Sequence, residues 1–96
     1  MRFKAKVDGN HEEIVCALRQ AGCLVLSLAA VGHGCPDLLV YRAMRLYLLE
    51  NKDGSLPPSR RRLTPDQEVF VNRGWPVHVV TSVEEALTAV GAITWE

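Results

Sequence analysis

The chain has 96 residues, 48% of them apolar and 23% charged, with a formal net charge of zero at pH 7. That length suits one small domain, residues 1–96, with a modest core, and the apolar share excludes a disordered polyelectrolyte. Zero net charge excludes a general nucleic-acid coat protein, so any nucleic-acid contact must come from a local patch.

No apolar run approaches the ~20 residues of a membrane span, and the amino terminus lacks the apolar core of a signal peptide. An intracellular, cytoplasmic setting without membrane attachment is therefore expected. Three cysteines without a CxxC pair make neither a disulfide framework nor a zinc pattern.

Residues 1–9 alternate Arg2, Lys4 and Lys6 with Phe3, Ala5 and Val7. This is the pattern of an edge strand or a frayed terminus more than of a basic arm on a phosphate backbone. From Asn10 the period changes. Ile14, Leu18 and Ala21 recur at i, i+4 and i+7 beside Ala17, which makes one apolar helix face. Asn10 is an N-cap residue, Glu13 stands three positions on as in a capping box, and Gly22 is placed to end the helix. His11 reads as a solvated first-turn residue.

Cys23 to Leu28 then forms a first, mostly buried strand. Ala29 to Cys35 is a small-residue loop in which Gly32 and Gly34 permit positive φ and close backbone approach, as beside a phosphate or in a plain turn. His33 within it is a candidate substrate contact. His33 and Cys35 lack the second ligand pair that a zinc site needs.

The stretch from Gly34 to Lys52 organises the rest. Leu38 to Val40 and Leu46 to Leu49 are short apolar runs of buried-strand type, and Arg42 to Arg45 has the length of a hairpin connection. Two adjacent antiparallel strands follow. Alternation puts Glu50 and Lys52 on one face of the second strand, with Asn51 opposite. With Asp37 facing the same side, two carboxylates and an ammonium converge.

Buried charges of this kind need a partner or a metal. Two carboxylates held close repel each other, which a hard divalent cation such as Mg²⁺ or Mn²⁺ relieves by taking oxygen ligands from both. A lysine beside them orients or helps deprotonate a metal-bound water, or stabilises charge on a phosphoryl group. The competing reading is a Glu50–Lys52 surface pair flanking an ordinary hairpin.

Directly after Lys52 comes a loop, Asp53 to Arg62, marked by Gly54, Ser55 and tandem Pro57 and Pro58. Its Arg60, Arg61 and Arg62 are the clearest phosphate-binding feature of an otherwise neutral chain, since guanidinium forks match phosphate oxygens. A solvated charge run is the plainer alternative. Thr64, Pro65, Asp66 and Gln67 open a second helix as N-cap, N1 proline and capping-box glutamine, with Val69 and Phe70 apolar and Gly74 at the end.

Pro76 to Val80 is the last strand, and Ser82 to Glu85 repeats the capping pattern before a third helix that stops at Gly91. The order is α/β, and a crossover helix lets the last strand run parallel to an earlier one. Trp75 and Trp95 offer faces for stacking on bases, yet lone tryptophans at element boundaries more often pack, and neither is assigned to a site.

Pro36 and Asp37, then Glu50 thirteen positions after Asp37, followed by Asn51 and Lys52, resemble the PD-(D/E)XK nuclease signature. With Gly34, Leu38, Leu49, Leu63, Thr64, Pro65 and Gln67, and the elements starting at Pro76 and Ser82, the chain is similar to a stand-alone VRR-NUC domain, the virus-type replication-repair nuclease branch. Asn51 departs from the apolar residue more usual there.

The resemblance implies a restriction-endonuclease-like αβββαβ core with a mixed four-stranded sheet flanked by helices, plus a C-terminal helix. It implies a Mg²⁺- or Mn²⁺-dependent DNA endonuclease in a phage or prophage setting. Asp37, Glu50 and the Asn51 backbone carbonyl would hold the metal and Lys52 would act on the water. Glu13, with Glu12 as the alternative, would complete the acidic ring, and Gln67 would lie near the active site. It also implies a homodimer with two active sites acting on branched DNA such as four-way junctions.

Overall fold

The computed structural model describes residues 9–93; the alternation at residues 1–8 and Trp95 lie outside that range. The elements in chain order are α1 (His11–Gln20), β1 (Leu24–Ser27), β2 (Leu38–Arg42), β3 (Arg45–Asn51), a 3₁₀ turn (Pro58–Arg60), α2 (Pro65–Asn72), β4 (Val77–Val80) and α3 (Val83–Ala89). Four strands form one sheet in the order β1-β2-β3-β4. The first three pair antiparallel, and β4 joins β3 in parallel after the crossover through α2. This is the mixed α/β order expected, with α3 as the added C-terminal helix. No helix among the described residues is long and apolar enough to cross a membrane.

Alternation in the strands divides the sheet into two faces. On one, Leu38, Val40, Leu49 and Val80 join Ile14, Val15 and Leu18 of α1 and Ala86 and Val90 at the end of α3 in a buried cluster. Burying an aliphatic side chain of this size contributes about 1.5–3 kcal/mol, so this face supplies most of the fold's driving force. The other face carries Leu24 and Leu26 on β1, Tyr41 on β2 and Leu46 on β3, all exposed. Strand β1 is therefore half open and not mostly buried as its apolar run suggests: no element among the described residues covers its outer face.

The capping signals divide in the same way. At α2 the full box is present, with the Thr64 hydroxyl accepting from the Gln67 N–H and the Gln67 side chain accepting from the Thr64 N–H. At α3 the Ser82 hydroxyl accepts from the Glu85 N–H, while Glu85 reaches one residue further back, to the Thr81 N–H and hydroxyl. At α1 the expected box is not formed. Asn10 sits at the N-cap without a side-chain cap, and Glu13 is exposed.

Asn10 Nδ2 instead donates to the carbonyl oxygens of Lys52, at 3.1 Å, and Thr81, at 3.0 Å. These carbonyls lie just past the ends of the parallel pair β3 and β4, where ladder bonding stops, whereas water serves an exposed helix start equally well. Asn10 thus clamps the two strand ends and sets α1 against them.

The β2–β3 connection is two residues long. Arg42 pairs with Arg45, and both Ala43 and Met44 between them have positive φ, 50° and 69°. Left-handed backbone suits the twist of a tight hairpin but costs residues with a Cβ about 1 kcal/mol each. Replacing the pair by Asn-Gly (Ala43→Asn with Met44→Gly) is expected to stabilise the fold by about 1 kcal/mol, a rise of roughly 4–8 °C in melting temperature. An unchanged or lower melting temperature by calorimetry would show that the turn stores no such strain.

Candidate active site

Asp37 ends the loop before β2, one position ahead of the Leu38–Leu49 pair, so it lies opposite Glu50. Its side chain is fixed by the strand beside it: the Asn51 N–H donates to Asp37 Oδ2 at 2.8 Å. Its own carbonyl accepts from the Leu28 N–H at 2.7 Å, which closes the loop 29–36 at its base. Glu50 is only 3% exposed and Lys52 only 8%. Lys52 Nζ stands 3.8 Å from Glu50 Oε2. Asp37, Glu50 and Lys52 thus meet at adjacent strand ends, on the face turned away from α1 and α3.

Cys35 reports on the same place. Burial pushes its thiol up, and the carboxylates of Glu50 and then Asp37 push it further, so both negative charges reach one point.

Gln67 plays both of the parts its position allows. Its Oε1 accepts from Lys52 Nζ at 2.8 Å and from the Thr64 N–H at 2.8 Å. One oxygen therefore caps α2 and fixes the ammonium. The close approach that makes this possible lies at Gly34, whose φ is 78°. A Cβ there would run into the Asp66 carbonyl group and stand 2.8 Å from the Gln67 backbone nitrogen. The glycine loop therefore meets the first turn of α2.

Asn51 turns the other way. It is fully buried, and its Nδ2 donates to His11 Nδ1 at 3.2 Å, while its Oδ1 has no partner among the described residues. His11 is buried as well, not a solvated first-turn residue. The sequence does hold the signal for it, because His11 precedes Ile14 and Leu18 by three and seven positions and so shares their apolar face.

The remaining candidates are mostly exposed. Glu13 is exposed in the first turn of α1, and it does not close with Asp37 and Glu50 into a three-carboxylate group; no metal-holding cluster of three or more His, Cys, Asp or Glu side chains occurs among the described residues. Glu12, the alternative, lines a cleft with His11, Val15, Ser27 and Leu38 on the α1 side of the sheet. Arg60 and Arg62 are exposed; Arg61 is half-buried, with Nε buried and unpartnered among the described residues. His33 is exposed at φ 57° beside Asp66 and Arg73 of the α2 region.

No protein-family model matches this chain, and no curated protein or solved structure matches it either.

Gly34→Ala is expected to cost about 2–4 kcal/mol, from left-handed backbone and overpacking against α2, and to part Gln67 from Lys52. Urea denaturation measures the loss. A variant as stable as the parent would mean that α2 is free to shift away from the loop.

Proposed function

We propose that the protein is a metal-dependent DNA endonuclease that hydrolyses phosphodiester bonds, a stand-alone VRR-NUC-like member of the PD-(D/E)XK nucleases. Its substrate would be branched DNA, such as a four-way junction, in phage or prophage replication, recombination or repair. The observation that carries this reading is the meeting of Asp37, Glu50 and a buried, oriented Lys52 at adjacent strand ends.

The donor set suits Mg²⁺ or Mn²⁺. It offers hard oxygens only, from Asp37, Glu50 and the Asn51 carbonyl, and Mg²⁺ is commonly held by one or two carboxylates with several waters retained. Asp37 Oδ2 accepts from the Asn51 N–H, which restrains the carboxylate beside Glu50. When bound, the metal supplies an acidified water and offsets charge on the phosphoryl group.

The chain's own residues supply the rest. Gln67 holds the Lys52 ammonium at a set position, from which it orients the attacking water or stabilises the developing phosphoryl charge. Arg60, Arg61 and Arg62 take backbone phosphates on the loop that leaves Lys52. Glu12 and Glu13 stay outside the core of the mechanism.

The exposed leucines support a homodimer. Leu24, Leu26, Leu39, Tyr41 and Leu46 line a shallow apolar cavity of about 150 Å³ on the same sheet face as Glu50 and Lys52. A contiguous exposed apolar patch marks an interaction surface, and a second copy there would give a two-fold pair of active sites matched to a nearly two-fold junction.

Incubation of the protein with a labelled four-way junction and a matched duplex should give cleavage with Mg²⁺ or Mn²⁺ and none with EDTA. Lys52→Ala should slow it about 10²–10³-fold while DNA binding persists. Binding without cutting under every metal would overturn the nuclease and leave a catalytically silent nucleic-acid-binding module. Separately, Leu26→Asp with Leu46→Asp should turn a dimer into a monomer by analytical ultracentrifugation; a parent protein that sediments as a monomer at all concentrations would sink the proposed interface.

A further inference from the structure

Beside the charged strand ends lies a second cleft, of different chemistry. Its walls are His33 from the glycine loop and Asp66, Val69, Phe70 and Arg73 of the α2 region, around a volume of about 200 Å³. Phe70 is stacked on Trp75, with ring centroids 5.3 Å apart and planes 19° from parallel. Trp75 is 53% exposed. An indole held flat by a second ring, with half its surface in water, is a ready platform for another flat group.

The cleft adjoins the candidate active site through the chain itself. His33 precedes Gly34, and Asp66 precedes Gln67, the two residues whose backbones abut. Gln67 in turn holds Lys52 at 2.8 Å. His33 is kept in left-handed backbone between Gly32 and Gly34, which share that conformation; for a residue with a Cβ this costs about 1–3 kcal/mol and marks sites where position matters more than comfort.

We propose that this cleft, to which Trp75 is joined by its stack on Phe70, receives an unpaired nucleobase of the DNA strand whose phosphate lies at Lys52. The proposal rests on the nuclease reading and names what that site selects, namely a strand unstacked next to the cut. The composition favours a base over a phosphate. A carboxylate at Asp66 repels a phosphate but accepts from the N–H groups of a base edge, Val69 and Phe70 meet its apolar face, and Arg73 donates to its carbonyls or stacks on it. A paired base inside a duplex exposes no face to such a platform, so fully paired DNA is disfavoured beside the site.

The test uses the full chain in EDTA at low salt, with a labelled oligothymidylate and a strand of equal length carrying abasic sites. The strand with bases should bind roughly tenfold more tightly and quench tryptophan fluorescence. Trp75→Ala should erase that preference, and Trp75→Phe should keep it while losing the quenching; Arg73→Gln should weaken both strands less than Trp75→Ala weakens the base-bearing one. Equal affinity for the two strands, or a preference untouched by Trp75→Ala, overturns the proposal. Base-dependent binding with no cleavage in any metal overturns the nuclease alone, and junction cleavage indifferent to Trp75 overturns the cleft alone.

Discussion

Lys52 and Glu50 are both almost out of water, and burying charged groups without partners to replace that water is costly. Part of that replacement is mutual, and part comes from Gln67, whose single amide oxygen also accepts the N–H at the start of α2. The position of the lysine and the start of the helix are therefore one interaction. The loop before β2 is drawn into it because Gly34 lies against the backbone of that same turn, with no room for a Cβ. Strand end, helix start and glycine loop are locked together through a few atoms. The Asn51 N–H holds Asp37 in the same assembly from the strand side.

The sheet separates stability from chemistry. One face is closed by α1 and α3 and holds the aliphatic core, together with the fully buried Asn51 and its partner His11. The opposite face holds the charges at one end and exposed leucines beyond them, while α2 buries none of its residues and its first turn meets the glycine loop and Lys52. Substitutions on the core face act on folding. On the other face they reach the site, the proposed dimer surface or the proposed base platform with little loss of core.

Local signals were readable where local bonds decide the outcome. Thr64, Pro65 and Gln67 specify a cap among themselves, and the structure forms it. Asn10 and Glu13 carry a comparable signal, yet Asn10 spends its amide on the Lys52 and Thr81 carbonyls. Those acceptors stand 42 and 71 positions away in the chain, so no local pattern could announce them. For His11 two local signals conflict: a histidine at a helix start is usually solvated, whereas its spacing to Ile14 and Leu18 puts it on the buried stripe, and the structure buries it. Trp75 carries no local signal of its surroundings, since Phe70 stacks on it only once the chain has turned at Gly74.

Sequence by itself determined the element order, the antiparallel hairpin, the division of Glu50 and Lys52 from Asn51, and the glycines at positive φ. Each follows from a period of two or 3.6 residues, or from the steric freedom of one residue, and needs no knowledge of distant chain. Tertiary structure decided which side of the sheet stays open, that Glu13 stands outside the carboxylate pair, and that Gln67 joins its cap to Lys52. These are meetings between segments far apart in the chain, settled by which surfaces pack together once the core closes.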